Sequence, residues 1–205
     1  EMILDEMGMF RIYEDSDPTY ILMLKGNADG MELAGRMGAS QLRNLLYAYK
    51  ERMDKNRFIQ NLLLDNLLLV DIYNQAKKMK IPAEIKRVVF VIEPKNEGDI
   101  LVQETLKGLY ATGTKDFVTA IDEKHIILVK SLQSTDDYPQ VEQIAKELVT
   151  TLNMEAMVSV RAAYGTIVEE LKDVSRSYKE ADMALEVGRV FYVEKKNLAY
   201  KELGI

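Results

Sequence analysis

The chain has 205 residues, of which 47% are hydrophobic and 29% charged, and its formal net charge is -6. Such a composition supports a buried core under a solvated surface, and a pI near 5.1 argues against a general nucleic-acid binder, which carries a basic face. There is no cysteine, which removes disulfides and thiolate metal sites and fits a reducing cytoplasm, and no run reaches the ~18 apolar residues of a membrane span.

The chain opens on Glu1 with no basic-then-apolar leader, so we read it as a piece of a longer cytoplasmic protein. From Phe10 to Gly26, two apolar runs flank the turn residues Ser16 to Pro18 and predict a β-hairpin. A hairpin is marginal alone, so residues 1–26 read as the remnant of an N-terminal sensor or dimerisation region. Residues 27–81 form a helical signalling and dimerisation segment. Leu42, Leu45, Leu46, Tyr49, Met53, Ile59, Leu62, Leu63 and Leu69 largely follow spacings of three and four. Asp29 is the predicted N-cap. Glycines 30, 35 and 38 weaken the opening turns or let two helices approach closely.

Residues 61–73, NLLLDNLLLVDIY, point leucines in nearly every direction of a helical wheel. A helix apolar all round must be covered on more than one side. Either one continuous helix packs on its own domain and on a partner chain, or Leu64 ends one helix and Asp65 or Asn66 caps the next. Leu62, Leu63, Leu67, Leu69 and Tyr73 are the candidates for this packing or for a dimer contact, and ordinary intrachain core is the plain alternative.

After Ile81-Pro82 the period changes, and residues 82–205 read as an α+β domain. Arg87 to Glu93, RVVFVIE, has the near-continuous apolarity of a buried central strand. A helix from Gly98 to Tyr110 follows, then strands Asp116–Ile121 and His125–Ser131 around an Asp-Glu-Lys turn. A helix from Tyr138 to Leu152 starts near Asp136 or Asp137. Strand Val158–Tyr164, helix Leu171–Gly188 and a short closing segment Val193–Tyr200 complete the chain. The order β-α-β-β-α-β with an extra helix is that of a ferredoxin-like sandwich.

Known catalytic signatures are missing: there is no GxGxxG, P-loop, HExxH or GxSxG. The single histidine, His125, heads the run HIILVK and reads as a hairpin residue rather than a base or metal ligand. Palm-type cyclases and polymerases place acids at the first strand's end and on the adjacent hairpin, where they hold two metal ions. Glu93 ends the first strand here, and Asp122-Glu123 sit in the hairpin. Glu93 is followed by Pro94, and no second carboxylate lies on that strand, which is too few ligands for two metals. A nucleotide-binding or cyclase-type enzyme using Glu93 and Asp122/Glu123 is therefore the alternative reading. No metal or cofactor is expected.

Residues 57–93, with Leu63-Leu64, Asp65-Asn66 and the ending Ala76-Lys77-Lys78-Met79-Lys80-Ile81, resemble the PucR and sugar-diacid-regulator (CdaR-like) bacterial transcription factors. That resemblance favours a break at Asp65-Asn66; the family's glycine is replaced by Lys80. Ala163-Tyr164-Gly165, Leu171, Ser177-Tyr178-Lys179-Glu180-Ala181 and Ala184-Leu185 look like the family's strand, turn and Ser-Tyr-x-Glu-Ala helix. The tail NLAYKELGI resembles the stretch before its C-terminal helix-turn-helix. The resemblance spans residues 57–205 and implies a degenerate GGDEF-like domain, with Ala120-Ile121-Asp122-Glu123-Lys124 where Gly-Gly-Asp-Glu-Phe would stand. It implies a non-catalytic, cytoplasmic signal-transduction fragment of a transcription regulator, a homodimer. Such a fragment reaches DNA only through a C-terminal domain not contained in it, and answers an unidentified small-molecule effector. Read from the residues, Tyr178, Ala181, Ala184 and Leu185 form a sheet-facing stripe, whereas Ser177 and Glu180 read as a solvated face.

Overall fold

The structure, a computed structural model, describes residues 2–4, 7–14, 17–26, 30–95, 100–111 and 115–204. The predicted N-cap Asp29, the turn residue Ser16 and the helix start at Gly98 lie outside the described residues. The chain divides into two compact units, Glu1–Lys55 and Asn56–Ile205. The segment 27–81 is therefore shared between them.

In the first unit, strands β1 (Met2–Leu4), β2 (Met7–Glu14) and β3 (Asp17–Lys25) make an antiparallel sheet in that order. The predicted hairpin is present with Phe10 opposite Leu22, and β1 is a third strand that the pattern did not announce. Helix α1 (Met31–Leu63) begins on this sheet. A Cβ on Gly35 would stand 2.0 Å from the Phe10 ring, and one on Gly38 3.0 Å from Leu22. These glycines let a helix lie close on a strand, not on another helix. Phe10, Ile12 and Met31 are buried there. Beyond it, Leu45, Tyr47, Tyr49 and Met53 of α1 are exposed.

The second unit starts from the last turns of α1. The helix ends at Leu63, and Asp65 takes a left-handed φ of 61°. Asn66 N–H donates to the Asn61 carbonyl at 2.9 Å and Asp65 N–H to that of Leu62 at 3.2 Å. This is the Schellman closure, in which an Asp or Asn tolerates the left-handed position better than most side chains. The break lies where it was expected, but neither Asp65 nor Asn66 caps the next helix. Helix α2 (Leu69–Lys78) has Leu68 at its N-cap with no side-chain bond. Lys80, at the family's glycine, also has a positive φ, 56°, and Ile81 N–H closes back on Ala76 at 2.8 Å. Lys80→Gly is therefore expected to stabilise the unit by about 0.5–1 kcal/mol, read as a higher urea midpoint.

Strands β4 (Arg87–Pro94), β5 (Phe117–Ala120), β6 (Ile126–Ser131), β7 (Val160–Tyr164) and β8 (Asn197–Ala199) form one sheet in the order β5-β6-β4-β7-β8. All neighbours are antiparallel except β7 and β8. The first four strands thus have ferredoxin-like order, with β8 added at the edge. Val88 to Ile92 in β4 are 0% exposed because helices cover both faces. Val89 and Val91 meet α1, α2 and α5 (Val174–Phe191); Val88, Phe90 and Ile92 meet α3 (Ile100–Tyr110) and α4 (Tyr138–Glu155). Asp137 starts α4 in a capping box with Gln140, which satisfies otherwise unpaired N–H groups of the first turn. A 3-10 turn, Leu171–Asp173, precedes α5, so the predicted helix is present in two pieces.

Candidate functional site

The leucine candidates separate by burial. Leu62 and Leu63, 1% and 0% exposed, lie in the unit's own core. Leu67 packs against the same core, partly buried. The Tyr73 hydroxyl donates to Glu170 Oε2 at 2.9 Å. Leu69 is exposed, together with Leu64, Leu68 and Val70. The all-round leucine thus has a local cause: the turn at Asp65 redirects the chain, and each half presents a different face to the core.

Gly165, Ser177, Tyr178, Glu180 and Ala181 meet where α5 crosses the end of β7. The β4–β7 ladder ends as Gly165 N–H donates to the Val89 carbonyl at 3.1 Å. The Val89 N–H is then taken by Ser177 Oγ at 3.1 Å, in the interior. The Glu180 carboxylate accepts from the Thr166 N–H at 2.7 Å and from its hydroxyl. Ala181 is fully buried, and burial pushes the half-buried Tyr178 phenol up to about 12. The reading of Ser177 and Glu180 as a solvated face is corrected: Ser177 is 0% exposed, and both side chains bind backbone N–H groups that the sheet leaves unpaired. The motif fastens a helix to a sheet.

At the opposite end of β4 the acids gather. Ile92 faces Ile126 across the β4–β6 ladder, which brings Glu93 beside the β5–β6 turn. In that turn Asp122 Oδ1 accepts from the N–H groups of Lys124 and His125 at 2.8 and 2.7 Å. Its Oδ2 stands 2.8 Å from His125 Nδ1. Arg189, near the end of α5, reaches in: Nη2 contacts Glu93 Oε1 and lies 2.9 Å from His125 Nε2, while Nη1 lies 2.6 Å from Glu186 Oε1. Arg161, opposite Glu93 in the β4–β7 register, approaches Glu93 Oε2 at 3.9 Å and donates to the Val193 carbonyl at 3.1 Å.

The protonation pattern follows from donor chemistry. A guanidinium only donates, so His125 Nε2 accepts and Nδ1–H donates to Asp122. Burial pushes Asp122 up, but the hydrogen bonds from the His125 ring and the two backbone N–H groups outweigh it and hold the acid below its ordinary value. For Arg189, burial acts downward, and the hydrogen bond and charge of Glu93 overcome it, leaving the net shift upward. Asp182, on the same helix, is held above its ordinary value by burial. Glu123 is exposed on the turn.

A divalent ion demands several oxygen donors in fixed geometry. Here both Glu93 oxygens face guanidinium groups, and both Asp122 oxygens are engaged within their own turn. Among the described residues no group of three or more metal-ligating side chains is placed to hold an ion. The residues present do not fit the two-metal centre of a palm enzyme.

Sequence reasoning found Glu93 and Asp122 but missed Arg161, Glu186 and Arg189. The usable signal was helical spacing: Asp182, Glu186 and Arg189 share one face of α5. An open cavity of about 600 Å³, lined by residues including Glu84, Lys86, Lys115 and Glu169, lies at the other end of β4.

The pattern of the family described as "GGDEF-like domain" matches residues 66–187. No curated protein matches the chain. Among solved structures, the GGDEF domain of DgcB from Caulobacter crescentus in complex with c-di-GMP is similar at 10% identity and a TM-score of 0.43, covering 63% of this chain and 81% of its own. A microbial GGDEF domain that interacts with bis-(3,5)-cyclic di-GMP is similar at 13% identity and a TM-score of 0.46, covering 70% of this chain and 92% of its own. A DGC protein from Thermotoga maritima matches at 14% identity and a TM-score of 0.37, covering 57% of this chain and 87% of its own.

Proposed function

The chain belongs to the GGDEF-like domain family, and from that premise we propose that it is a non-catalytic regulatory and dimerisation module of a bacterial transcriptional regulator of the PucR/CdaR-like type. In this reading it couples an upstream sensor to a DNA-binding domain elsewhere in the regulator. The observation that carries the non-catalytic part is the ion-pair cluster at Glu93. The acid that would hold a metal is paired with Arg189 and Arg161 instead. A cation placed there would meet two fixed positive charges. The regulator assignment draws support from the motif positions: Gly165, Ser177 and Glu180 have defined packing roles, and Lys80 has the left-handed conformation of the glycine it replaces.

DNA contact is assigned to another domain because this chain is acidic, with a net charge of -6. No helix of the described residues is long and apolar enough to cross a membrane, and we place the regulator in the cytoplasm. The homodimer contact is assigned to the exposed middle of α1 rather than to its buried last residues Leu62 and Leu63. Leu42, Leu45, Tyr49 and Met53 are exposed along one helix at spacings of three, four and four, a stripe that pairing of two copies would cover.

Two measurements test this reading. Incubation with GTP and magnesium is expected to yield no cyclic dinucleotide; product that Glu93→Ala abolishes would establish the enzyme reading through Glu93 and Asp122/Glu123. Light scattering is expected to show a dimer that Leu45→Glu with Tyr49→Glu converts to monomer. A wild-type monomer at high concentration would sink the dimer assignment.

A further inference from the structure

We infer that two copies of this chain join along the open edge of β3 into one continuous antiparallel sheet, and that the apolar outer part of each α1 lies across the other copy's β3. This rests on the homodimer reading above and deepens it by giving the stripe on α1 a surface to cover.

The strand edge is the first observation. In the order β1-β2-β3, β3 is bonded to β2 on one side and stands at the edge of the sheet on the other. Its run Tyr20–Leu24, YILML, holds no charge, proline or glycine. Exposed edges template a further strand, and proteins guard them with lysine, proline, bulges or very short strands. Here Pro18 and Lys25 stand only at the ends. The register shift against β2, between Ile12 and Tyr13, falls at the beginning of β3, and the ladder is even from Tyr20 opposite Ile12 to Lys25 opposite Met7.

The second observation is a stripe of α1. Met31, Gly35, Gly38, Leu42, Leu45 and Tyr49 follow at spacings of four, three, four, three and four, so they share one helix face. The beginning of that face lies on the chain's own sheet. Gly35 sits against Phe10 of β2, and Gly38 against Leu22 of β3, the residue opposite Phe10. One turn of helix thus carries the face from β2 to β3, towards the open edge. Past Gly38 the face runs out of sheet. Met31 and Gly35 are buried and Gly38 is half-buried, whereas Leu42 is 37% exposed and Leu45 and Tyr49 are each 65% exposed. From Gly38 to Tyr49 is about 16 Å of helix, against a strand spacing of about 4.8 Å. The overhang is long enough to cross strands that the chain itself does not supply.

The inner face of β3 has the matching deficit. Tyr20 and Leu22, opposite Ile12 and Phe10, share the helix side of the sheet with them, as does Leu24. Yet Tyr20 is 51% exposed, and Leu22 and Leu24 are only half-buried. A helix without a floor and a strand without full cover therefore belong to one chain, on one side of one edge. A two-fold axis through that edge satisfies both at once, as an isologous contact does. For this reason the occupant is a second copy rather than a foreign strand. Centred on Leu22, the pairing sets Tyr20 opposite the second copy's Leu24 and Ile21 opposite its Met23, each a favourable cross-strand pair.

The test uses the full chain, with light scattering for its oligomeric state and amide hydrogen exchange for its β3 edge. Wild type is expected to be a dimer in which all amides of residues 20–24 exchange slowly, including the alternate ones that face away from β2. Ile21→Lys with Met23→Lys sets like charges opposite each other across the axis. Both side chains are exposed, 60% and 57%, so the variant is expected to fold. Its dimer dissociation constant is expected to rise about a hundredfold or more, and the alternate amides to exchange about tenfold faster or more. A wild-type dimer whose alternate β3 amides exchange fast overturns the edge pairing and leaves the dimer reading standing, whereas a wild-type monomer overturns both. A folded double-lysine variant that dimerises as tightly as wild type also overturns the edge pairing. Should that variant not fold, exchange in the wild-type dimer decides alone: slow alternate amides support the pairing, and fast ones overturn it.

Discussion

Gly165→Ala is expected to destabilise the 56–205 unit by about 3 kcal/mol, seen as a large fall in the urea midpoint with an unchanged slope. A Cβ at Gly165 would stand 2.0 Å from the Ser177 carbonyl oxygen and 2.8 Å from its carbon and Oγ. The atoms in the way belong mostly to helix backbone, which cannot rotate aside. The helix must therefore lift from the end of β7. Lifting breaks the bond from Val89 N–H to Ser177 Oγ and strains the bonds from Thr166 to Glu180. Each bond so lost leaves a desolvated donor, at about 1–3 kcal/mol. Backbone strain plays no part, since Gly165 is not among the positive-φ residues. The loss of unfolded-state freedom on Gly→Ala works the other way, by about 0.4–1 kcal/mol, and is outweighed. Gly108, in α3 with open space where its Cβ would go, is the control: Gly108→Ala is expected to stabilise by about 0.5–1 kcal/mol. A Gly165→Ala protein as stable as Gly108→Ala would show that α5 is not held where the motif positions place it.

The contrast between those two glycines shows what the sequence can and cannot disclose. Local chemistry was legible. The doubly buried strand Val88–Ile92 and a start of α4 at Asp136 or Asp137 follow from a few adjacent residues, whereas the residues alone left a continuous helix open at Asp65 and the family resemblance favoured the break found there. The order of elements then gave the ferredoxin-like sheet. Contacts between distant residues were not legible. Glycines 35 and 38 read as helix weakeners or as room for a second helix because Phe10 and Leu22, which need the room, belong to other elements. Ser177 read as solvated because its partner Val89 is 88 positions away. The acid Glu93 was visible as a candidate, but its partner Arg189 is 96 positions further on. Without that partner the same carboxylate looks like half of a metal site. Charge neutralisation across a fold is a property of the tertiary structure, and Glu93 acquires its role only there.

Arg87 carries the second large effect, and here opposing terms must be weighed. It is 0% exposed, the largest fully buried side chain among the described residues, at the first position of β4. Its backbone exchanges two hydrogen bonds with Val168, both 2.8 Å. Its guanidinium donates to the carbonyls of Pro82 and Ile85, and Nε has no partner among the described residues. Burial lowers its pKa to about 10, against the opposing charge of Asp116. The unfolded chain therefore binds the more protons between that value and the ordinary guanidinium value. The charge weakens the fold at every pH below about 10, and relief comes only as pH rises through that window. Removing the cation thus returns some stability. Arg87→Ala, however, also empties the volume of the side chain and strips the donors from two carbonyls. Cavity formation at a large buried side chain costs about 2–5 kcal/mol, and each orphaned carbonyl about 1–3. These losses exceed the relief, and a net destabilisation of about 3 kcal/mol is expected for Arg87→Ala in urea unfolding at pH 7. Arg87→Met fills most of the volume and removes the charge, so it is expected within about 1 kcal/mol of wild type. The difference between the two variants isolates packing, because both lack the donors. Equal losses in both would mean that the carbonyls of Pro82 and Ile85, and not the filled space, are what Arg87 secures.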